Sequence, residues 1–379
     1  MRIAIVAPLF ETVPPSKYGG TERVVYFIVE ELVRLGHTVT LYAARGSKTS
    51  GRLVECFHGT LRGHGIANGS DDAINANKAQ LKLAISDMAN HDILHIHHAV
   101  ESYHPKLFES MQDIPIVWTD HNALHTAGKP LSLKSLANLD IGMTALSESH
   151  RSTVSDDDAK WLETIHHGLP ANLLTPVQTI PTYLGFLGRV SPEKGITTAI
   201  RIARAGGFEL KVAAKIDKVD EEFYEKEVKP LLAASNVGFI GEISDAEKSR
   251  FLSAAIALIF PICWLEPFGL VIIEAIACGC PVIAFRKGSV PEIVEHGVTG
   301  FIVDTEEEAV ESLRHIESLD RTLIRQRFEE RFTSTTMTKK YVDVYTRSIR
   351  QTNASQIANK LKIAIAIQEV NLRKHLDFL

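Results

Sequence analysis

The sequence predicts an α/β protein built from two doubly wound parallel sheets, each in its own domain. Its 379 residues suit two domains of roughly 150 to 200 residues each. In both halves, short apolar runs typical of buried strands alternate with segments of helical periodicity. The alternation stops near residues 165–182, where glycine and several prolines indicate an interdomain linker. Because alternating strands and helices form parallel sheets covered on both faces, we expect two such sheets.

The amino-terminal domain, residues 1–175, begins with a strand, a loop and a helix. Ile3–Ala7 is an apolar strand, and helical periodicity runs from Glu22 to Leu35, where Gly36 ends it. The alternating, β-branched strand His37–Tyr42 follows and completes a βαβ unit with an expected right-handed crossover. Further strands are predicted at Ile93–His97 and Ile114–Thr119, with helices at Ala73–Met88 and Tyr103–Met111.

The carboxyl-terminal domain, residues 183–334, shows the same alternation without repeating the sequence of the first. Its predicted strands are Tyr183–Leu187, Glu209–Ala214, Val237–Ile240, Ala257–Phe260 and Pro281–Phe285. Its predicted helices are Lys194–Ala205, Glu221–Ala234, Asp245–Ala254, Leu270–Cys278, Val290–Glu295 and Glu306–Ile316.

The chain is predicted to close with a helix at residues 335–350 that returns to the first domain, followed by a tail at 351–379. An apolar stripe in the tail favours a helix, although Ile363–Ile367 also alternates as a strand would. From Arg350 onward there are five basic and two acidic residues, a net charge of +3. The tail therefore either packs on its own chain, which we favour, or docks on a partner or on a membrane surface as a peripheral contact.

Composition and charge exclude several classes of function. With a net charge of −5 and no basic cluster, the chain is not expected to bind nucleic acid. An apolar strand directly after Met1, without a leader before it, predicts a cytoplasmic protein.

Cys278-Gly-Cys280 is either half of a metal site or a turn of small buried residues. A zinc site needs about four ligands, so we favour the turn and expect no metal.

Arg189 and Lys194 lie in the first polar loop of the second domain, Leu187–Gly195. In two-domain α/β proteins a ligand is expected at the carboxyl ends of strands, and this loop follows a predicted strand and opens a helix. A diphosphate needs about two positive charges beside free backbone amides, which this loop offers. By spacing alone, a phosphate site and an ordinary helix-capping loop are equally compatible with the sequence.

A second polar segment extends from Glu266 to Glu274. Its Pro-Phe-Gly turn exposes backbone amides at a helix N-terminus, which favours an anion. Those amides belong to Gly269, Leu270 and Val271. The two carboxylates at this separation could bind the hydroxyls of a ribose and a hexose on either side of a diphosphate. By spacing alone, Glu274 also fits a solvated or ion-paired position on a helix face.

Together these motifs resemble family four of the glycosyltransferases, whose GT-B fold sets two Rossmann-like domains face to face across a cleft. The resemblance covers nearly everything from Met1 to about Ile349. It rests on Gly19-Gly20-Thr21-Glu22, Gly188-Arg189-Val190, Glu193-Lys194-Gly195, the spaced glutamates Glu266 and Glu274, Cys278 to Phe285 and Gly288 to Val294.

The resemblance implies a role for each part of the donor site. Arg189 and Lys194 would hold the diphosphate and stabilise the charge of the leaving nucleotide, in place of a metal ion or other cofactor. Glu274 would bind the ribose hydroxyls and Glu266 those of the transferred sugar. The remaining donor-binding segments would be the backbone of Phe239-Ile240-Gly241 at the nucleobase, Phe268-Gly269-Leu270-Val271 at the phosphates, and the glycines Gly19 and Gly20 in the first loop.

The resemblance also indicates a catalytic residue in the first domain, His121, just beyond the strand Ile114–Thr119. Family members carry a histidine at such a position, hydrogen-bonded to the donor sugar near the reacting carbon. Asp120 departs from the more usual apolar neighbour. We interpret the other histidines of this domain as structural, namely His95, His97, His98 and His125.

The resulting prediction is a retaining transferase that moves a hexose from a nucleotide diphosphate sugar, with UDP favoured, to a hydroxyl acceptor. The acceptor is a glycan, a lipid-linked carrier or a small metabolite. Attack on the face of the leaving group is expected, so no carboxylate is assigned as a nucleophile. A sugar phosphorylase or a non-hydrolysing epimerase of the same fold is a rival interpretation. An inactive subunit that only binds sugar nucleotides is another.

Overall fold

The computed structural model describes residues 1–16, 19–100, 108, 114–124, 129–233 and 236–376. For residues 129–132 and 356–376 it describes the backbone alone. His125 and, apart from Phe108, the predicted helix Tyr103–Met111 lie outside the described residues.

The described part of the amino-terminal domain forms one fully parallel sheet of seven strands. Its strands are β1 Arg2–Val6, β2 Thr38–Ala44, β3 Arg52–Phe57, β4 Ile93–Ile96, β5 Ile116–Thr119, β6 Gly142–Ala145 and β7 Trp161–Thr164. The spatial order is β3-β2-β1-β4-β5-β6-β7. The helices between them are α1 Gly20–Arg34, α2 Asp71–Ser86, α3 Lys129–Asn138 and α4 Glu148–Ser152.

The carboxyl-terminal domain repeats this arrangement with six parallel strands among the described residues. They are β8 Tyr183–Arg189, β9 Leu210–Lys215, β10 Val237–Phe239, β11 Ala255–Phe260, β12 Val282–Phe285 and β13 Gly300–Val303, in the order β10-β9-β8-β11-β12-β13. Its helices are α5 Ile196–Gly206, α6 Glu221–Phe223, α7 Lys229–Ala233, α8 Asp245–Ser253, α9 Leu270–Ala277, α10 Val290–Ile293, α11 Glu306–Leu313 and α12 Arg321–Arg331. The predicted fold class, two doubly wound parallel sheets, is confirmed.

Burial explains why the sequence forms central and edge strands where it does. β4 and β5 are buried along their whole length because helices cover both faces of the sheet. β3 and β7 lie at the edges and are only partly buried. Between Thr164 and Tyr183 the chain contains no regular element, as expected of a linker.

A long final helix, α13 Ser334–Leu376, packs on the amino-terminal domain. Tyr341 and Tyr345 are fully buried there, and the Tyr345 hydroxyl lies 2.6 Å from Nδ1 of His95. The backbone of residues 351–376 continues this helix without a break. Among the described residues, no helix is both long enough and apolar enough to cross a bilayer.

Several elements were not predicted from the sequence. Strands β3, β6, β7 and β13 and helices α3, α4 and α12 belong to this group. The predicted helix Glu221–Ala234 is interrupted by a π-turn at Tyr224–Val228, which separates α6 from α7. β6 and β13 each begin with a glycine, which weakens the strand pattern of a short run.

The topology fixes where a ligand can bind. In each sheet the strand order reverses direction between the first strand and its neighbour, at β1–β4 and at β8–β11. A crevice opens beyond the carboxyl ends of such strands. Arg189 ends β8, and the segment of Glu266 follows β11, so the predicted donor residues lie at this switch point.

Candidate active site between the domains

Arg189, the last residue of β8, lies among carboxylates of its own domain. It forms ion pairs with Glu193, with Asp220 at 3.3 Å and with Asp217 at 3.9 Å. The Asp217 carboxylate also lies 2.8 Å from the ammonium of Lys215. Burial raises the pKa of Asp220, although Arg189 acts in the opposite direction. A phosphate that binds Arg189 would therefore compete with these carboxylates.

Lys194 and Glu266 form a direct ion pair across two loops. The Lys194 ammonium lies 2.5 Å from Oε2 of Glu266, and the indole N–H of Trp264 donates to the same oxygen at 2.8 Å. The loop of Glu266 is held tightly, because a side chain at Gly288 would come within 2.3 Å of the Glu266 carbonyl oxygen. Glu266 is buried, whereas the Lys194 side chain remains partly exposed.

The Pro-Phe-Gly turn starts α9 in the way the sequence predicts. Gly269 caps the helix in the left-handed conformation, at φ 83°, which disfavours any residue with a side chain. The first amides of a helix have no partner within it, so those of Leu270 and Val271 are oriented for an anion. A side chain added at Gly20 would lie 3.5 Å from Leu270, which shows how closely the first loop approaches this helix.

Glu274, on α9, is buried and only half satisfied. Oε1 lies 2.6 Å from the ammonium of Lys248, whereas Oε2 is buried with no hydrogen-bond partner among the described residues. Lys248 belongs to α8, which begins with a capping box formed by Ser244 and Glu247. Asp245 on the same helix pairs with Arg23 of α1, so this network reaches the first domain.

The segment Phe239-Ile240-Gly241 lies at the end of the edge strand β10. Phe239 packs against Tyr224, with ring centroids 5.8 Å apart. The Ile240 N–H donates to the Val212 carbonyl at 2.9 Å and continues the pairing with β9. That N–H is therefore not available to a nucleobase, and Gly241, at φ 75°, turns the chain directly afterwards.

Neutral histidines form the opposite side of the site. His121 Nε2 lies 3.0 Å from Nδ1 of His97, and its ring stacks on His167 with the centroids 5.1 Å apart. Burial lowers the pKa of His121 to about 4, against a weaker opposing effect of Asp120. Burial also holds the pKa values of His97 and His167 well below the usual range. These imidazoles are uncharged at neutral pH.

His121 approaches the donor loop through His167. The His167 ring meets the buried Phe268 edge-on, with centroids 4.8 Å apart. The structure thus brings His121 of the first domain near the Pro-Phe-Gly turn of the second. The Asp120 carboxylate binds the amides of Val100 and Asn122, which fixes the backbone on both sides of this histidine.

The first loop is shaped by close packing around its glycines. A side chain at Gly19 would approach Pro15 to 2.8 Å and the carboxylate of Glu22 to 3.3 Å, so only glycine fits there. Glu22 lies buried in the first turn of α1, where burial raises its pKa to about 7. Nothing in the sequence predicts that Glu22 is a buried carboxyl beneath this loop.

Several further contacts join the two domains around the site. Glu292 of α10 accepts the amides of Glu148 and Ser149, at the start of α4, at 2.7 and 2.8 Å. His166 lies 3.2 Å from the same carboxylate. Burial would raise the pKa of Glu292, but these hydrogen bonds outweigh it and hold the pKa below its usual range. The Ser147 hydroxyl donates to the Pro267 carbonyl at 2.7 Å.

The cysteines are placed as the sequence analysis favoured, in a turn of small buried residues. Cys278 and Cys280 are buried as free thiols, and burial raises the pKa of each to about 12. Within the described segments, no three His, Cys, Asp or Glu side chains gather as a metal site would require.

Two family descriptions match the two halves of the chain. The description "Glycosyltransferase Family 4" matches residues 18–182, and "Glycosyl transferases group 1" matches residues 176–333. Between them they include every residue assigned above to the donor site. The chain belongs to the family 4 glycosyltransferases. The resemblance inferred from its motifs is thereby confirmed.

Solved glycosyltransferase structures share the GT-B fold of this family 4 member. A glycosyltransferase involved in avilamycin A biosynthesis matches with a TM-score of 0.69 at 23% identity, over 92% of this chain and 98% of that one. An Anabaena protein solved in complex with UDP and glucose matches with a TM-score of 0.69 at 18% identity, over 92% of this chain and 100% of that one. At sequence identities this low, the similarity shows that the proteins share a fold.

Curated relatives are distant in sequence. The D-inositol 3-phosphate glycosyltransferase of Corynebacterium diphtheriae is 26% identical over 340 residues, which are 76% of this chain and 78% of that protein. For three other relatives that it matches, the chain spans about half of their length or less, at 45%, 35% and 54%.

Proposed function

We propose that this family 4 glycosyltransferase moves a hexose from UDP-hexose to a hydroxyl acceptor with retention of configuration and without a metal ion. The observation that carries the proposal is the Lys194–Glu266 ion pair at 2.5 Å, whose lysine lies in the loop that follows Arg189 at the end of β8. A cation for phosphate and a carboxylate for sugar hydroxyls thus lie in contact at the switch point of the sheet.

Donor binding would replace existing ion pairs rather than fill an uncharged site. The diphosphate would take Arg189 from Glu193 and Asp220, and would share Lys194 with Glu266. Arg and Lys both form charge-assisted hydrogen bonds with phosphate. The free amides at the start of α9 add a second source of positive potential.

The buried carboxylate of Glu274 supports a role in ribose binding. Its Oε2 atom lacks a partner among the described residues, and leaving a buried charged acceptor unsatisfied is costly. A ribose hydroxyl that donates to Oε2 would remove that cost, while Lys248 keeps Oε1 in place. The same carboxylate can accept two vicinal hydroxyls.

The proposed reaction breaks the bond between the anomeric carbon and the diphosphate oxygen. It forms a bond from that carbon to the acceptor oxygen on the same face. The acceptor proton moves to the departing phosphate oxygen, so no enzyme carboxylate forms a covalent bond. Arg189 and Lys194 would stabilise the charge that develops on the nucleotide, which is the function a divalent ion has in other transferases.

The choice of UDP and of the acceptor class rests on similarity rather than on a contact. The Anabaena structure with the same fold was solved with UDP and glucose, and the Corynebacterium relative is named for a phosphorylated inositol acceptor. For this chain we propose a cytoplasmic enzyme that acts on a glycan, a lipid-linked carrier or a small metabolite. The basic tail remains predicted to pack on its own chain.

A thermal-shift screen followed by a transfer assay tests the function. A ligand that binds only the native state raises the melting temperature, so UDP-hexoses should shift it more than GDP- or ADP-hexoses. Products formed from the best donor should keep the anomeric configuration in the proton NMR spectrum. Turnover that needs phosphate and no nucleotide would instead identify a phosphorylase. Binding without any transfer or hydrolysis would identify an inactive subunit.

A further inference from the structure

His97 lies directly after β4 and is bound to His121. Its side chain is 1% exposed, and its Nδ1 atom lies 3.0 Å from Nε2 of His121. The other ring nitrogen, Nε2 of His97, is buried and has no hydrogen-bond partner among the described residues. Among the described residues, one ring nitrogen of His97 thus bonds to His121 and the other has no partner.

The orientation of the His97 ring is fixed by its neighbour. His95 packs against it with ring centroids 3.9 Å apart. His95 is itself held at both nitrogens, by the Tyr345 hydroxyl at 2.6 Å and by the Thr119 hydroxyl at 2.8 Å. The final helix α13 and the central strand β5 thus hold the ring against which His97 packs.

Only two proton arrangements fit the bond between His97 and His121. Both rings are neutral, because burial lowers the pKa of each, and a neutral imidazole has one N–H and one lone pair. If His121 donated from Nε2, the proton of His97 would sit on its buried, unpartnered Nε2. If His97 donates from Nδ1, only a lone pair is left unpartnered. Orphaned buried N–H groups are rarer in proteins than under-satisfied acceptors, which favours the second arrangement.

That arrangement determines what His121 presents to the cleft. Since its Nε2 accepts from His97, its own proton lies on Nδ1. Among the described residues Nδ1 has no hydrogen-bond partner, and the His121 side chain keeps part of its surface exposed. The ring also stacks on His167, which contacts Phe268 of the donor loop.

We propose that His97 is a positioning residue that holds His121 in the Nδ1–H tautomer, so that His121 presents a hydrogen-bond donor to an oxygen of the bound hexose. This inference rests on the proposed function for the role of His121, but the tautomer itself does not. His97 therefore acts through His121 and does not touch the donor.

The tautomer is measured directly on the full-length protein without ligand. A long-range proton–nitrogen correlation spectrum of 15N-histidine-labelled protein distinguishes the two ring nitrogens, and a His121→Asn variant assigns the His121 signals. We expect the proton of His121 on Nδ1 at pH 7.5. A proton on Nε2 would overturn the proposal, whether or not the protein shows transferase activity. Absence of transfer with the Nδ1 proton in place would count against the proposed function alone.

Two variants of His97 then separate positioning from packing. His97→Leu removes the donor, and we expect His121 to lose its single tautomer and kcat to fall by about tenfold to a hundredfold, with the donor KM nearly unchanged. His97→Asn keeps an N–H near the Nδ1 position and should restore most of kcat.

A matched control is His91→Leu. His91 is another buried histidine of this domain, bonded to Thr40 and to the Asp87 carbonyl. It should lose stability with little change in kcat. Equal kcat losses in all three variants, or an unchanged kcat in His97→Leu, would overturn the positioning role.

Discussion

The two walls of the cleft differ in charge. The carboxyl-terminal wall consists of ion pairs, with Lys194 on Glu266, Lys248 on Glu274, and Arg189 among Glu193, Asp217 and Asp220. The amino-terminal wall carries His121, which is backed by the buried imidazoles of His95, His97, His98 and His167, and burial lowers the pKa of all five. One wall is charged and compensated, whereas the histidines of the other wall are neutral.

This difference is consistent with a division of labour between the domains. Compensated cations leave no buried charge unpaired before the nucleotide binds, and a phosphate can then replace a carboxylate as their partner. Neutral imidazoles can hydrogen-bond a sugar without adding charge near the reacting carbon. The wall that would bind the leaving group is therefore the one that carries the charge.

The largest expected effect tests the charged wall. Lys194→Ala should lower kcat by about a hundredfold to a thousandfold, because the leaving diphosphate loses a cation and Glu266 loses its partner. Steady-state kinetics with the best donor would measure it. The control is Lys226→Ala, which removes an exposed lysine paired with Glu222. A mild effect, similar to that of the control, would mean that the diphosphate binds elsewhere.

The next effect concerns donor affinity. Glu274→Ala should weaken UDP binding by about tenfold to a hundredfold, since hydrogen bonds to a charged group contribute about 1.5 to 3 kcal/mol. Isothermal titration would measure the change. The comparison is Glu306→Ala, which removes an exposed carboxylate paired with Arg201. Nucleotide affinity that stays the same in the Glu274 variant would exclude this residue from the ribose site.

The neutral wall predicts a dependence of stability on pH. Burial lowers the pKa of His98 in the folded protein to about 4, below the usual value of 6.5. Between these pH values the unfolded chain binds the extra proton, so stability falls as the pH decreases from 6.5 towards 4. At pH 5 this single group should cost about 2 kcal/mol relative to pH 7.5.

Denaturant unfolding at pH 7.5 and pH 5 would measure that cost. His98→Gln removes the titrating group and keeps a donor for the Ala7 carbonyl, which His98 Nε2 binds at 2.9 Å. The variant should lose less stability on acidification than the wild type. If both proteins lost the same amount, the neutral state of His98 would not contribute to the pH dependence.

The smallest expected effect is that of removing metal ions, because side chains are proposed to neutralise the leaving nucleotide. EDTA should change the transfer rate by no more than about twofold, because cations and helix amides are proposed to replace a metal. Rates measured with EDTA and then with excess Mg²⁺ would test this. Complete loss with EDTA, restored by Mg²⁺, would contradict the proposed mechanism.

The sequence predicts most of the fold because its central strands are apolar. β1, β8 and β11 carry continuous apolar runs, and the helices α1 and α5 end at glycines. Strands such as β6 and β7 are not predicted because they contain Gly142 or polar residues. Their pairing depends on neighbouring strands, which local periodicity does not encode.

Parts of the site could be predicted because motif spacing places Arg189, Lys194, Glu266 and Glu274 beside strand ends. The residues that contact these side chains could not be predicted in the same way. Lys248 resembles any exposed lysine on a helix face, and only the packing of α8 against α9 brings it to Glu274. His97 was interpreted as structural, because nothing in the sequence shows that the ends of β4 and β5 bring it to His121.

The central claim is that the carboxyl-terminal wall binds the diphosphate of the nucleotide. It is tested most directly by titrating the wild type and an Arg189→Ala/Lys194→Ala double variant with UDP and with UMP. The account predicts that the wild type binds UDP at least about tenfold more tightly than UMP, and that the double variant loses this preference. Equal affinities in the wild type, or a preference that survives both substitutions, would contradict it.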